Sequence, residues 1–207
     1  MSVFIEIHPQ NPQPRLIKQM VEVIRAGGVI VYPTDSCYAL GCQIGNKTAM
    51  DRIRRLRQLD DRHNMTLVCR DLSEIATYAI VDNATFRLLK ANTPGAYTFV
   101  LPATHEVPRR LQHPRRKTIG IRVPDHPIAL ALLEALGEPL VSSTLSLPEE
   151  DVPMTDPQEM YERLQHHVDA VVDGGYCGTL PTTVVDFVQG VPTIAREGKG
   201  DVRPFVA

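Results

Sequence analysis

Tryptophan is absent from the 207 residues, and aromatic side chains make up only 5% of them. That is too few for the ring platforms on which single-stranded nucleic acids stack. A dominant charge is missing as well. The 22 Lys and Arg against 24 Asp and Glu leave a net charge of -2, so no global electrostatic argument for a nucleic-acid partner exists. The four cysteines, Cys37, Cys42, Cys69 and Cys177, have no CxxC or metal-like spacing. They read as reduced thiols of a cytoplasmic protein. No apolar run approaches the roughly 18 residues of a membrane span. The opening MSVFIEIHPQ lacks the basic region and apolar core of a signal peptide. There is no GxxxxGK[ST] loop, no GxGxxG after a strand and no GxSxG elbow. The seven histidines form no zinc-like pair, so no metal site is read. No repeat, low-complexity tract or linker divides the chain, which reads as one domain over residues 1–207.

What is present centres on Gly28 to Gly41, GVIVYPTDSCYALG. Val29 to Tyr32 is an unbroken apolar run rich in β-branched residues, the pattern of a strand buried on both faces. Pro33 ends it, since proline donates nothing to a ladder. Thr34, Asp35 and Ser36 then stand where the strand runs out. They suit either a capped turn or a ligand site at a strand's carboxyl end. Around this stretch the spacing predicts strands near 4–7, 66–69, 97–101, 118–123, 140–145, 168–172, 182–187 and 192–196. Helices are predicted from Asn11-Pro12 to Ile24, from Asn46 through Leu56, over 83–92 and 126–136, and in a short stretch through Leu164. His166 and His167 are read as helical neighbours that point apart. The early strand–helix–strand order favours an α/β sheet.

Hydroxyl side chains recur at predicted strand ends: Thr34 and Ser36, Thr98, Ser142 to Thr144 with Ser146, and Thr182 with Thr183. Their convergence fits one shared crevice. Two basic clusters stand out of the balanced total, four arginines in residues 52–57 and five basic residues in 109–117. A solvated surface and a phosphate site explain them equally well; arginine forks match phosphate oxygens bidentately. Cys37 follows the polar turn without an evident base, the setting of an inert buried thiol.

VYPTDSCYALG, PGAYTFVLPA, TIGIRVPDHPIA, PLVSST, DAVVDGG, PTTVVD and AREG resemble, in sequence and in order, seven blocks of the YrdC/YciO-like family of threonylcarbamoyl-AMP synthases. The pattern is nearest the YciO branch. The resemblance implies a twisted open mixed sheet with flanking helices around a concave basic surface. It also implies a reaction joining L-threonine, bicarbonate and ATP into threonylcarbamoyl-AMP and pyrophosphate, in the service of tRNA modification. The family's Lys-x-Arg pair falls on Arg55 and Arg57, expected at the phosphates. Thr34 and Tyr38 are expected near threonine, and Thr98 in the same site. Arg122 is expected on the substrate carboxylate or bicarbonate. Thr118, Thr182 and Arg196 are expected at the nucleotide, with Mg2+ carried by the triphosphate.

Two departures stand in the motifs. The family's lysine is Arg55, a planar fork in place of a point charge. Its Ser-x-Asn becomes Thr144-Leu145-Ser146, which removes an amide from the reacting end. Nucleotide binding is expected to survive and synthase activity to be weaker. Two alternatives stay open: a protein that binds tRNA or double-stranded RNA on the basic surface, and carbamoyl or adenylyl transfer to another small substrate.

Overall fold

The structure, a computed structural model, describes residues 2–60, 63, 65–148 and 150–206. Ten strands form one open mixed sheet: β1 (Val3–Glu6), β2 (Ile30–Tyr32), β3 (Ala39–Gln43), β4 (Thr66–Val68), β5 (Tyr97–Pro102), β6 (Thr118–Arg122), β7 (Leu140–Thr144), β8 (Ala170–Asp173), β9 (Thr183–Asp186) and β10 (Thr193–Arg196). Their spatial order is β1-β8-β2-β3-β7-β4-β6-β5-β9-β10. Among the described residues six helices flank it: α1 (Pro14–Arg25), α2 (Lys47–Arg57), α3 (Leu72–Tyr78), α4 (Asn83–Asn92), α5 (Pro127–Leu136) and α6 (Pro157–Leu164).

The two faces of this sheet are covered unequally. On one face Leu67, Phe99, Ile121, Val141 and Val185 pack with Ala49 and Ile53 of α2, Ile75 of α3, Leu89 of α4 and Met160 of α6. On the other, α1 and α5 pack Ile17, Met20, Leu132 and Leu136 against Ile30, Tyr32, Ala170 and Val172. That pair sits on the β1-β8-β2-β3 side, and among the described residues no other helix contributes to this second core. The run Val29–Tyr32 is buried on both faces as its composition requires: Val29 and Val31 join the first core, Ile30 and Tyr32 the second. Asn46 caps α2 by accepting from the Ala49 N–H at 3.0 Å. Gly137 closes α5 in the left-handed region at φ 77°.

Several expectations need correction. Strand β3 lies at the end of the Gly28 to Gly41 stretch, where no strand is expected from the sequence. Gly41 is there for space: a Cβ at this position would lie 2.8 Å from the Tyr32 ring. Helix α3 is short and also escaped notice, although Asp71 caps it by accepting from the Glu74 N–H at 3.0 Å. Helix α1 begins at Pro14, not at Asn11-Pro12, because the His8 ring accepts the Gln10 and Asn11 N–H groups and holds them in a turn. His166 and His167 lie past the end of α6, not on it.

Past β10 the chain returns across the sheet edge and is pinned by Phe205, which packs on Phe99, Tyr97 and Phe187. Phe205 is 3% exposed. Phe205→Ala is expected to lower the unfolding free energy by about 3–5 kcal/mol, the usual range for a buried phenylalanine, as read by urea denaturation. A loss under about 1 kcal/mol would show that the end of the chain is not part of the cooperative core.

Candidate active site

The floor of the site follows from strand parity. Thr66 pairs with Gly120 on one side and Ser142 on the other. Val68 pairs with Arg122, Val100 with Gly120, Thr98 with Val184, and Ala39 with Thr144. Side chains two apart share a face. These alternate residues therefore point to the side where α1 and α5 give out, and there they line an open cleft of about 730 Å³. Ligand pockets run to roughly 300–1,000 Å³. Where the opposite face carries leucine, phenylalanine and isoleucine, this one carries glycine, serine and threonine. Gly120 keeps the floor flat, since a Cβ there would meet the Thr98 methyl at 3.3 Å and the Thr66 hydroxyl at 3.4 Å.

The turn after β2 is both a capped turn and a wall of the cleft. Thr34 Oγ1 accepts from the Ser36 N–H at 3.1 Å and donates to the Cys37 carbonyl at 2.6 Å. Thr34 and Ser36 both line the cleft. Across it, Arg57 at the end of α2 donates from Nε to the Ser146 carbonyl at 3.1 Å and from Nη1 to Ser143 Oγ at 2.5 Å. Arg196 at the end of β10 donates from Nη2 to the Thr182 carbonyl at 2.9 Å. Among the described residues no carboxylate pairs with either guanidinium. Burial first, and then the charge of Arg196, lower the pKa of Arg57 from its ordinary value. Two cations thus face one space, and an anion placed there would relieve both.

The sequence-derived residues do not all meet. Thr34, Arg57, Thr98, Arg122, Thr144, Ser146, Thr182 and Arg196 line the cleft. Arg55, Tyr38 and Thr118 do not. Arg55 is exposed on the outer side of α2, its Nε donating to the Asp51 carbonyl one turn back. Tyr38 is fully buried in the covered core and holds the glycine loop after β8, donating to the Gly175 carbonyl at 2.7 Å and accepting from the Gly174 N–H at 3.1 Å. Thr118 shares parity with Gly120 but is fully enclosed where the basic loop folds back, the His113 N–H donating to its carbonyl. Arg122 is occupied by this chain's own Asp35, to which its Nη2 donates.

Other residues came forward that the sequence reading had set aside. Tyr32 lines the inner end and bonds Ser142 Oγ at 2.8 Å; that serine donates onward to the Leu40 carbonyl, so the tyrosine is the donor. Burial pushes its pKa up to about 12. His63 stands at the mouth, its pKa lowered first by desolvation and then by Arg57. Val152 and Leu180, 56% and 59% exposed, make the rim apolar. Cys37 is buried, and desolvation raises its thiol to about 11, as befits an inert thiol.

Fold and site together define a Sua5/YciO/YrdC-type domain, and the chain belongs to that family. Residues 22–198 match its model, described as "Telomere recombination". Within the family it is a full-length likeness of YciO from Escherichia coli K12, an uncharacterized protein: 61% identity over 206 residues, covering 100% of both chains. The crystal structure of E. coli YciO superposes with a TM-score of 0.96 over 100% of both chains. The threonylcarbamoyl-AMP synthase of Halorhodospira halophila is 31% identical over 184 residues, 88% of this chain and 95% of that one. P. abyssi Sua5 complexed with L-threonine shares the fold, with a TM-score of 0.87 at 24% identity over 95% of this chain and 58% of that one.

Proposed function

We propose that the protein is an ATP-dependent nucleotidyltransferase of the threonylcarbamoyl-AMP synthase kind, with lower activity than its synthase relatives. The observation that carries this reading is the pair Arg57 and Arg196. Both face the cleft without a carboxylate partner among the described residues, beside a floor of hydroxyls. The amine of L-threonine adds to bicarbonate and water leaves, giving a carbamate. A carbamate oxygen then attacks the α-phosphorus of ATP, the bond from that phosphorus to the α,β-bridging oxygen breaks, and pyrophosphate leaves. No protein nucleophile is needed; positioning and charge neutralisation suffice. In this reading Arg57 and Arg196 hold the departing pyrophosphate, with Mg2+ carried on the triphosphate. Thr34, Thr98, Thr144, Ser146 and Thr182 orient the reactants, and tRNA modification uses the product.

Mass-spectrometric detection of threonylcarbamoyl-AMP tests this reading, using purified protein, ATP, Mg2+, L-threonine and bicarbonate. Product that requires both threonine and bicarbonate supports it. Bound ATP with no product from threonine or from any other amino acid would refute it.

A second reading has its own observation. Arg54 Nη2 donates to the Arg110 carbonyl at 3.3 Å, which joins the two basic clusters into one surface outside the cleft. Arg55, Arg109, Arg110, Arg115 and Lys117 are exposed there. A protein that binds tRNA or duplex RNA with this surface would lose affinity steeply with salt, and a gel shift indifferent to salt would dismiss it.

A further inference from the structure

Besides its arginines, the cleft is lined among the described residues by one other basic side chain, His63 at the mouth. The His63 backbone N–H donates to the Asp60 carbonyl at 3.2 Å, and among the described residues no hydrogen bond engages its ring. The charges around the ring are unbalanced. Arg57 and Arg54 of α2 and Arg196 of β10 oppose a positive charge on it, and Asp60 on its own loop favours one. Asp151 is the carboxylate that lines the cleft among the described residues. Tyr32 and Cys37 line it too, but burial pushes their pKa values up to about 12 and about 11, so neither titrates near neutrality.

We propose that His63 is a third anion-binding group of the cleft, and that it takes up a proton when a phosphate-like dianion settles beside Arg57 and Arg196. In the free protein desolvation first, and then the arginines, disfavour the positive ring. A bound anion cancels that repulsion and adds an opposite charge of its own. The imidazolium offers two N–H donors, where the neutral ring has one donor and one acceptor. An acceptor nitrogen repels an anionic oxygen, so the ligand selects the protonated form. Proton uptake and anion binding each strengthen the other by the same factor. The sign follows from the direction of the shift. The free ring protonates below the usual histidine range and the liganded ring protonates higher, so affinity is greatest on the acid side and falls as pH rises through the liganded value. An arginine keeps its charge throughout; the histidine makes the grip of the site depend on pH near neutrality. The role given to His63 rests on the Arg57 and Arg196 end taking an anion, as in the nucleotide reading, but not on which product forms.

NMR of the full chain tests this by following the His63 Hε1 resonance from about pH 5 to 8, in sodium sulfate and in sodium chloride of equal ionic strength. Sulfate keeps its charge across that range. The His63 midpoint is expected to stand about one pH unit higher in sulfate, equivalent to sulfate binding about tenfold tighter at the acid end than at the basic end. His105, whose side chain is 92% exposed and which does not line the cleft, is expected to titrate alike in both salts. In His63→Gln, a neutral side chain, sulfate affinity read on the guanidinium carbons of Arg57 and Arg196 is expected to lose its pH dependence. A His63 midpoint equal in the two salts while the arginine signals respond to sulfate, or a His63→Gln protein that keeps the wild-type pH dependence, would overturn the role of His63 and leave the nucleotide reading standing. Arginine signals that ignore sulfate as well would remove the anion site on which both rest.

Discussion

Replacing Arg57 and Arg196 together by alanine is expected to weaken ATP binding by about 10²- to 10⁴-fold. Each guanidinium would give the triphosphate a charge-assisted hydrogen bond worth about 1.5–3 kcal/mol, and every 1.4 kcal/mol is roughly tenfold. Titration with a fluorescent ATP analogue measures the loss. The substitutions should be mild for the fold: the carbonyls of Ser146 and Thr182 lose a donor at the edge of an open cleft, where water replaces it. Arg55 supplies the contrast. The family resemblance puts it beside the phosphates, yet its side chain stands outside the cleft. Arg55→Ala is therefore expected to cost about tenfold or less, through long-range charge alone. An Arg55 effect as large as that of the pair would mean that α2 turns when nucleotide binds. An unchanged affinity in the double variant would remove the anion site.

The same parity that builds the cleft explains which parts of it were legible. Thr66-Leu67-Val68, Thr98-Phe99-Val100 and Gly120-Ile121-Arg122 each alternate a small or polar residue with a large apolar one. Reading these stretches simply as strands does not show that Leu67, Phe99 and Ile121 pack into the covered core while the residues beside them line the cleft. The hydroxyls were found because they cluster at strand ends, and their predicted convergence is met by Thr34, Thr98, Ser142, Thr144 and Thr182 in one cleft. Arg52 and Arg116 were not separable from Arg57 in sequence. All three are arginines in basic runs, but Arg52 is held by Asp169 at 2.8 Å and Arg116 is paired with Asp186. Those partners lie 117 and 70 residues away, beyond the reach of local pattern. The Asp35–Arg122 pair escaped for the same reason, since 87 residues separate the two. Local signals fix strands, caps and the turn after β2; which cation is left for a ligand depends on long-range pairing.

Ser146→Asn is expected to raise the rate of threonylcarbamoyl-AMP formation by about 100- to 1,000-fold. The backbone around this position is already fixed. Leu145 is fully buried, and its N–H donates to the Tyr38 carbonyl at 2.9 Å. The Ser146 carbonyl takes Arg57 Nε, and neither bond depends on the side chain at 146. An asparagine would therefore stand where the serine now lines the cleft. Its amide reaches further than a hydroxyl and can donate an N–H to the oxygen that, in the proposed reaction, develops charge as the carbamate attacks phosphorus. One such contact, made in the transition state and not in the ground state, is worth about 2.7–4 kcal/mol. The gain should appear in kcat with little change in the KM for ATP if, as proposed, Arg57 and Arg196 hold the phosphates in both proteins. A gain confined to KM would place residue 146 on the bound nucleotide and away from the reacting atoms. No gain at all, with ATP still bound, would shift the cause of the proposed low synthase activity to Arg55, where the planar fork replaces the lysine that the family resemblance leads one to expect.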